Sequence, residues 1–264
     1  MRTLIYGVWL LAMAAGGVSA QSIEAVRKEL KADEFIIEYI AHACFRIHTA
    51  GKTIMLDPYA DKVWIGYSFP GGIGADTVFV THPHYDHDGG IHLGHRPEWI
   101  KSTPFIMIPK KYKVGDMHIT GYTGKHAAPY GRDFNAMNTI WVIQVKGVNI
   151  GHVGDNGPLT DSIASLLPPL DILMLPLDTQ HHILSVEELA HWQSRTGAKI
   201  VFPMHYRIDD IDPEIPKPDG LGHLDVPMMK KGNMREIKAH YVKLSKAQIP
   251  ASLTYYVLDH YRKE

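Results

Sequence analysis

The stretch VTHPHYDHDGG, from Val80 to Gly90, carries three histidines and two aspartates within seven residues, directly after an apolar run. Imidazole nitrogens and carboxylate oxygens suit zinc and its first-row neighbours. Alternate side chains of an extended segment point the same way. His82 and His84 therefore converge on one ion, Asp86 continues the alternation, and His87 beside it points elsewhere. Two adjacent ions satisfy both directions, and Gly89-Gly90 lets the chain turn sharply afterwards. Such a pair would lower the pKa of bound water and supply hydroxide near neutral pH.

Two ions need further ligands from distant segments. His126 in GKHAAPYG, Asp155 in IGHVGDNG and His205 in IVFPMHY share one context, a polar residue just past an apolar strand. Singly, each reads as a cap or a satisfied polar group. Together, in this order behind His82-x-His84-x-Asp86-His87, they read as ligands.

The elements that must position them follow from pattern. Residues 22–34 read as a short amphipathic helix. Strands are expected at 35–40, 44–47, 53–56 and 77–80, separated by tight turns, and again at 105–108, 140–145, 148–151 and 171–175. SVEELAHWQSRTGAK reads as a helix, with Ser185 and Glu188 as a capping box and Gly197 at its end. Lys199–Phe202 is a strand running into PMHY, and the acidic, proline-rich 207–232 segment reads as a loop. Strands alternating with a few helices give a layered α/β fold in one domain, residues 21–264.

The 264-residue chain has a net charge of −1, which gives it no electrostatic grip on nucleic acid. Met1–Ala20 has a basic start at Arg2, an apolar run from Leu4 to Ala15 and the small-residue close Val18-Ser19-Ala20. It reads as a secretory signal peptide for general export, placing the mature protein in the periplasm or outside the cell. Cys44 is the only cysteine, so no intrachain disulfide can form, and its apolar setting reads as a buried structural thiol.

The joint pattern resembles the metallo-β-lactamase-fold hydrolases. THPHYDH from Thr81 to His87 carries the THxHxDH motif, and PMHY carries the last metal motif. YIAHACFRIHTAGKTIMLDPY and GHVGDNG are similar to segments of the branch that includes ascorbate-phosphate lactonase-like and N-acyl-phosphatidylethanolamine phospholipase D-like proteins. The resemblance runs from about Ile36 to Tyr206. It implies a four-layer αβ/βα sandwich with the site at one edge, between two sheets. It implies that His82, His84 and His126 hold one metal, that Asp86, His87 and His205 hold the second, and that Asp155 bridges them. His118 and His152 compete with His126, which is preferred because it lies in a loop after a strand, as the family's lone histidine does. Asp88 receives no metal. The chain departs from the branch at Ala41, where glycine is frequent, and at Asp178 and Gln180, which replace small residues ahead of His181.

The activity implied is hydrolysis of a phosphodiester, lactone or amide. Asp86 or Asp155 would orient the nucleophile, and His181 and Tyr206 would protonate the leaving group or bind the oxyanion. His181-His182 reads equally as exposed histidines of a loop leading into a helix. Asp57 reads as either an orienting partner of a ligand histidine or a turn-forming Asp-Pro. His42 either faces the site or caps a turn. Tyr59, Trp64, Tyr67 and Phe69 form a loop that either covers the substrate or is an ordinary surface loop pinned by aromatics, and 207–232 is a second candidate flap. The metals expected are two divalent ions, zinc first, with manganese or iron as alternatives. The substrate expected is a small molecule, a phosphodiester or lipid headgroup among the candidates. The rival readings are a di-iron redox protein on the same fold and a metal-binding protein without catalysis.

Overall fold

Apolar and β-branched runs between turn signals form the strands, and their pairing builds two sheets. The computed structural model describes residues 22–63, 65–94, 97–98, 102–127, 137–209, 221–230 and 232–261. The signal-like segment and Trp64 lie outside the described residues, as do 210–220 and Lys231 of the segment expected as a second flap.

In chain order the elements are α1 (Ile23–Lys28), β1 (Glu34–Ala41), β2 (Cys44–His48), β3 (Thr53–Leu56), β4 (Thr77–Phe79), β5 (Phe105–Ile106), β6 (Lys111–Val114), β7 (Met117–Lys125), β8 (Met137–Val145), β9 (Val148–His152), α2 (Asp161–Leu166), β10 (Ile172–Pro176), α3 (Val186–Thr196), β11 (Ile200–Met204), α4 (Val226–Met229), β12 (Asn233–Ile237), β13 (Tyr241–Ser245) and β14 (Thr254–Leu258). The first sheet has six strands in the order β13-β1-β2-β3-β4-β5, and the second has eight in the order β12-β14-β11-β10-β9-β8-β7-β6.

The sheets face each other across the core. Phe45 of β2 meets Phe202 of β11 with ring centroids 6.2 Å apart, and Phe79 of β4 meets Trp141 of β8 at 5.0 Å. The indole of Trp141 donates across the gap to the Val80 carbonyl at 2.9 Å. α3 packs Leu189 and Trp192 inward and is the longest of the described helices. This is the expected two-sheet α/β sandwich.

Strand direction explains why one edge gathers the polar residues. In the first sheet β2 runs antiparallel to both β1 and β3, and β4 runs parallel to β3, so β1, β3 and β4 end at the same edge. In the second, β7, β9, β10 and β11 share one direction for the same reason. The residues just past those carboxyl ends are His42, Asp57, His82, His126, Asp155, Asp178 and His205. Carboxyl ends of co-directed strands are where α/β folds hold ligands.

Three features differ from the sequence reading. α1 stops at Lys28 because a tight turn follows: Glu34 N–H donates to the Lys31 carbonyl at 3.1 Å, and the Glu34 carboxylate accepts from Lys31 N–H at 2.9 Å. The strand expected at 105–108 is ordered as two residues only, β5. β6, α2 and the C-terminal strands β12 to β14 had no sequence expectation, β7 was expected only as a strand ahead of His126 without bounds, and α4 lies in the 207–232 segment read as a loop; β13 and β14 add to opposite sheets.

Candidate metal centre

The motif loop begins where β4 ends. Asp57, just past β3, fixes it: its carboxylate accepts from Thr81 N–H at 2.7 Å, Thr81 Oγ1 at 2.6 Å and His87 Nδ1 at 2.7 Å. Thr81 is also tied to the second sheet, since its carbonyl accepts from Thr139 N–H at 2.8 Å. Opposite it, Gly154 has φ +55°, and a Cβ there would lie 2.4 Å from Thr81 Oγ1. That close approach requires glycine, and it sets Asp155 against the motif loop.

The donors fall into two adjoining groups, His82, His84, His126 and Asp155 in one, and His42, Asp86, His87 and His205 in the other. Within each group one ligand atom per residue lies within 4.8 Å of all the others. Asp155 links the groups: Oδ1 lies 3.2 Å from His87 Nε2, while Oδ2 lies 3.2 Å from His205 Nε2, 3.5 Å from His126 Nε2 and 3.9 Å from His82 Nε2. His82 Nε2 and His84 Nδ1 are 2.9 Å apart. Donors on a tetrahedral zinc, at bonds of about 2.0–2.1 Å, sit roughly 3.3 Å apart. All seven residues expected as ligands are thus brought together, and His42 joins them.

The chemistry of the donor set fits metal. His87 Nε2, His126 Nε2, His205 Nε2 and Asp155 Oδ1 are buried without a hydrogen-bond partner among the described residues. Buried polar atoms are rarely left so unless an ion or water completes them. The far nitrogens are anchored, as ligand histidines require: His82 Nδ1 against Thr81 Oγ1 at 2.9 Å, His87 Nδ1 on Asp57, and His126 Nδ1 on the Ala127 carbonyl at 2.9 Å. Burial favours neutral histidine throughout. It holds His84 down at about 4 and His82 well below its usual range. At His87 burial is outweighed by the Asp155, Asp86 and Asp57 carboxylates, which hold it well above its usual value. At His205 it is outweighed by Asp155. This edge therefore attracts positive charge, which protons supply when no cation is bound.

The remaining candidates are placed as follows. His118 is exposed on β7. His152 is buried and pairs Nε2 with the Ala43 carbonyl at 2.9 Å, a bond between the sheets. Asp88 closes the turn after the motif, accepting from Gly90 N–H, His92 N–H and His92 Nδ1. Asp178 holds the loop past β10 by accepting from Gln180, His182 and Gly222 N–H groups. That loop turns His181 toward Asp225, with Nε2 3.9 Å from its carboxylate. His182, which sequence reasoning did not select, lies parallel to His205 at 5.9 Å between centroids. Tyr206 packs on Tyr39 in the core at 6.1 Å, where burial raises its hydroxyl to about 12. In the aromatic loop Tyr59 and Tyr67 are buried edge-to-face at 6.0 Å, and the Tyr67 hydroxyl accepts from Ile208 N–H at 2.7 Å. The loop is pinned beside the centre by those contacts.

The chain is 25% identical over 190 residues to a UPF0173 metal-dependent hydrolase of Pyrococcus furiosus, covering 64% of this chain and 84% of that one. It is 27% identical over 197 residues to the one of Lysinibacillus sphaericus, with 64% and 84% covered. A metallo-β-lactamase superfamily protein of Thermotoga maritima superposes with a TM-score of 0.64 at 23% identity, covering 86% of this chain and 100% of that one. Residues 36–205, the two sheets' site-bearing strands included, match the family described as Beta-lactamase superfamily domain, and the chain belongs to that superfamily.

Proposed function

We propose that the protein is a metal-dependent hydrolase that works with two divalent ions on a phosphodiester, lactone or amide. One observation carries this reading: two adjoining donor groups, linked by the Asp155 carboxylate of one lying 3.2 Å from His87 and His205 of the other, that leave buried imidazole nitrogens unpaired among the described residues. The UPF0173 relatives, named metal-dependent hydrolases, support it. Bound there, a pair of divalent ions supplies an activated water and neutralises developing negative charge. His82, His84 and His126 would hold one ion, Asp86, His87 and His205 the other, with Asp155 between them. The histidine-rich set favours zinc over manganese or iron. Asp86 and Asp155 are the carboxylates at hand to orient the attacking water.

For protonating the leaving group, His182 is favoured because it stacks on the donor His205 at 5.9 Å, whereas His181 turns toward Asp225 and Tyr206 packs on Tyr39. The likeness of YIAHACFRIHTAGKTIMLDPY to the lactonase-like and phospholipase D-like branch supports a small phosphodiester or lactone as substrate. The leader-like Met1–Ala20 supports action after export.

Metal analysis of the purified protein, with a screen of phosphodiester, lactone and β-lactam substrates, tests the reading. Two metals per chain with turnover of one of these substrate classes is the expected result. Two metals with no turnover would favour a binding protein, and oxygen-dependent chemistry with bound iron would favour the redox reading.

A further inference from the structure

His42 occupies the turn between β1 and β2 and is fully buried. Its backbone is left-handed, φ 56°, and its carbonyl is held twice, by the Tyr39 hydroxyl at 3.2 Å and by His205 N–H at 3.0 Å. The second bond crosses from one sheet to the other. His205 is itself left-handed, φ 57°, and the two rings lie 4.2 Å apart. On the ring, Nε2 meets Asp86 Oδ2 at 3.0 Å, while Nδ1 is buried without a partner among the described residues.

Those two nitrogens decide the role. A histidine that binds an ion through Nε2 carries its proton on Nδ1 and needs an acceptor there. His82, His87 and His126 each have a neighbour for that nitrogen. His42 has none, and with its proton on Nδ1 its bare Nε2 would face the Asp86 carboxylate at 3.0 Å, acceptor against acceptor, with a buried N–H unpaired as well. His205 also lacks a partner at Nδ1, but its Nε2 is unpaired and faces Asp155 at 3.2 Å. The favourable arrangement for His42 puts the proton on Nε2, pointing at Asp86.

We infer that His42 is a positioning residue for the second metal: it donates Nε2–H to Asp86, fixing that carboxylate, and through its carbonyl fixes the backbone of His205. This rests on the two-metal reading above. No comparable bond links His42 to His82, His84 or His126 among the described residues, so its effect falls on one site and not the other.

Zinc titration of the metal-free, full-length protein against a competing chelator tests this. The parent is expected to bind two equivalents; fewer would overturn the two-metal reading and this inference with it. Asparagine tolerates a left-handed backbone and is too short to reach Asp86. His42→Asn should keep the first equivalent at parental affinity and weaken the second about 10- to 100-fold. His42→Gln, which retains a donor, should recover part of that loss. Unchanged binding of both equivalents, or equal weakening of both, would overturn the inference. So would Gln binding no better than Asn. Nitrogen-15 shifts of His42 in the zinc-loaded parent need no variant. A proton on Nε2 is expected; a proton on Nδ1 with Nε2 on zinc would make His42 a ligand instead.

Discussion

Asp57 shows how a single side chain organises the edge. One carboxylate orients His87 and holds the first residue of the motif, Thr81, by its main chain and its hydroxyl. Partners of this kind typically set metal affinity within a factor of about 10–100. Asp57→Ala should therefore weaken zinc binding by about that factor, read by chelator competition, while Asp88→Ala should leave it near parental because Asp88 holds only its own turn. Equal losses would mean that the loop's shape, not the His87 contact, governs binding. The residues proposed as ligands were legible because metal chemistry limits such donors to histidine and aspartate at strand ends. The roles proposed for Asp57 and His42 were not, since an Asp-Pro turn and a turn-capping histidine look identical in sequence to orienting residues. His181 and His182 are adjacent, and which of them turns inward depends on the left-handed φ of 50° at His181, stabilised by the Asp178 turn.

At the level of elements, local signals were sufficient where the element closes on itself. Ser185 accepts from Glu188 N–H and Glu188 reaches back to Ser185 N–H, with Gly197 left-handed at the far end, so α3 was delimited by its own residues. Removing the cap with Ser185→Ala should cost about 1 kcal/mol, seen as a lower denaturation midpoint at unchanged slope. A change in slope would show that more than the helix end had been altered. Signals were insufficient where partners are remote. β6 and β7 carry exposed lysines and a histidine, with two glycines in β7, and they form strands because β8 lies alongside with eight positions paired to β7. β12 and β14 pair in parallel, which no short turn announces. These elements extend the second sheet, and of them β7 alone leads to a proposed ligand, His126.

For the whole molecule, two buried charge systems sit in the fold. The first is the candidate metal centre, and ions bound there would stabilise the folded chain by mass action. At free zinc about 1,000 times the dissociation constant the gain is about 4 kcal/mol, so chelation should lower the melting temperature and zinc should restore it. An unchanged melt would mean that zinc does not bind the folded chain in preference to the unfolded one, which counts against a metal centre here. The second system lies apart from any ligand. Glu38, fully buried on β1, accepts from Arg46 Nε and from His48 Nε2, both at 2.7 Å, and His48 Nδ1 pairs with Thr53 Oγ1 at 2.9 Å. Burial alone would raise the carboxyl, but His48 and Arg46 outweigh it and hold Glu38 at about 2, below its usual 4.5. A carboxyl depressed in the folded state favours folding above its unfolded value, and that contribution fades as pH falls from about 4.5 toward 2. Glu38→Gln removes the titration and leaves Arg46 buried without its counter-charge, a loss of about 3–5 kcal/mol at neutral pH. Acid protonates the metal ligands in both proteins, so that loss of stability cancels in their difference. Urea unfolding of parent and variant across pH 2–7 should show a gap that is constant near neutrality and narrows below about 4.5. A gap independent of pH would show that Glu38 is not ionised in the fold, and the Arg46 pairing would then contribute by shape and hydrogen bonding alone.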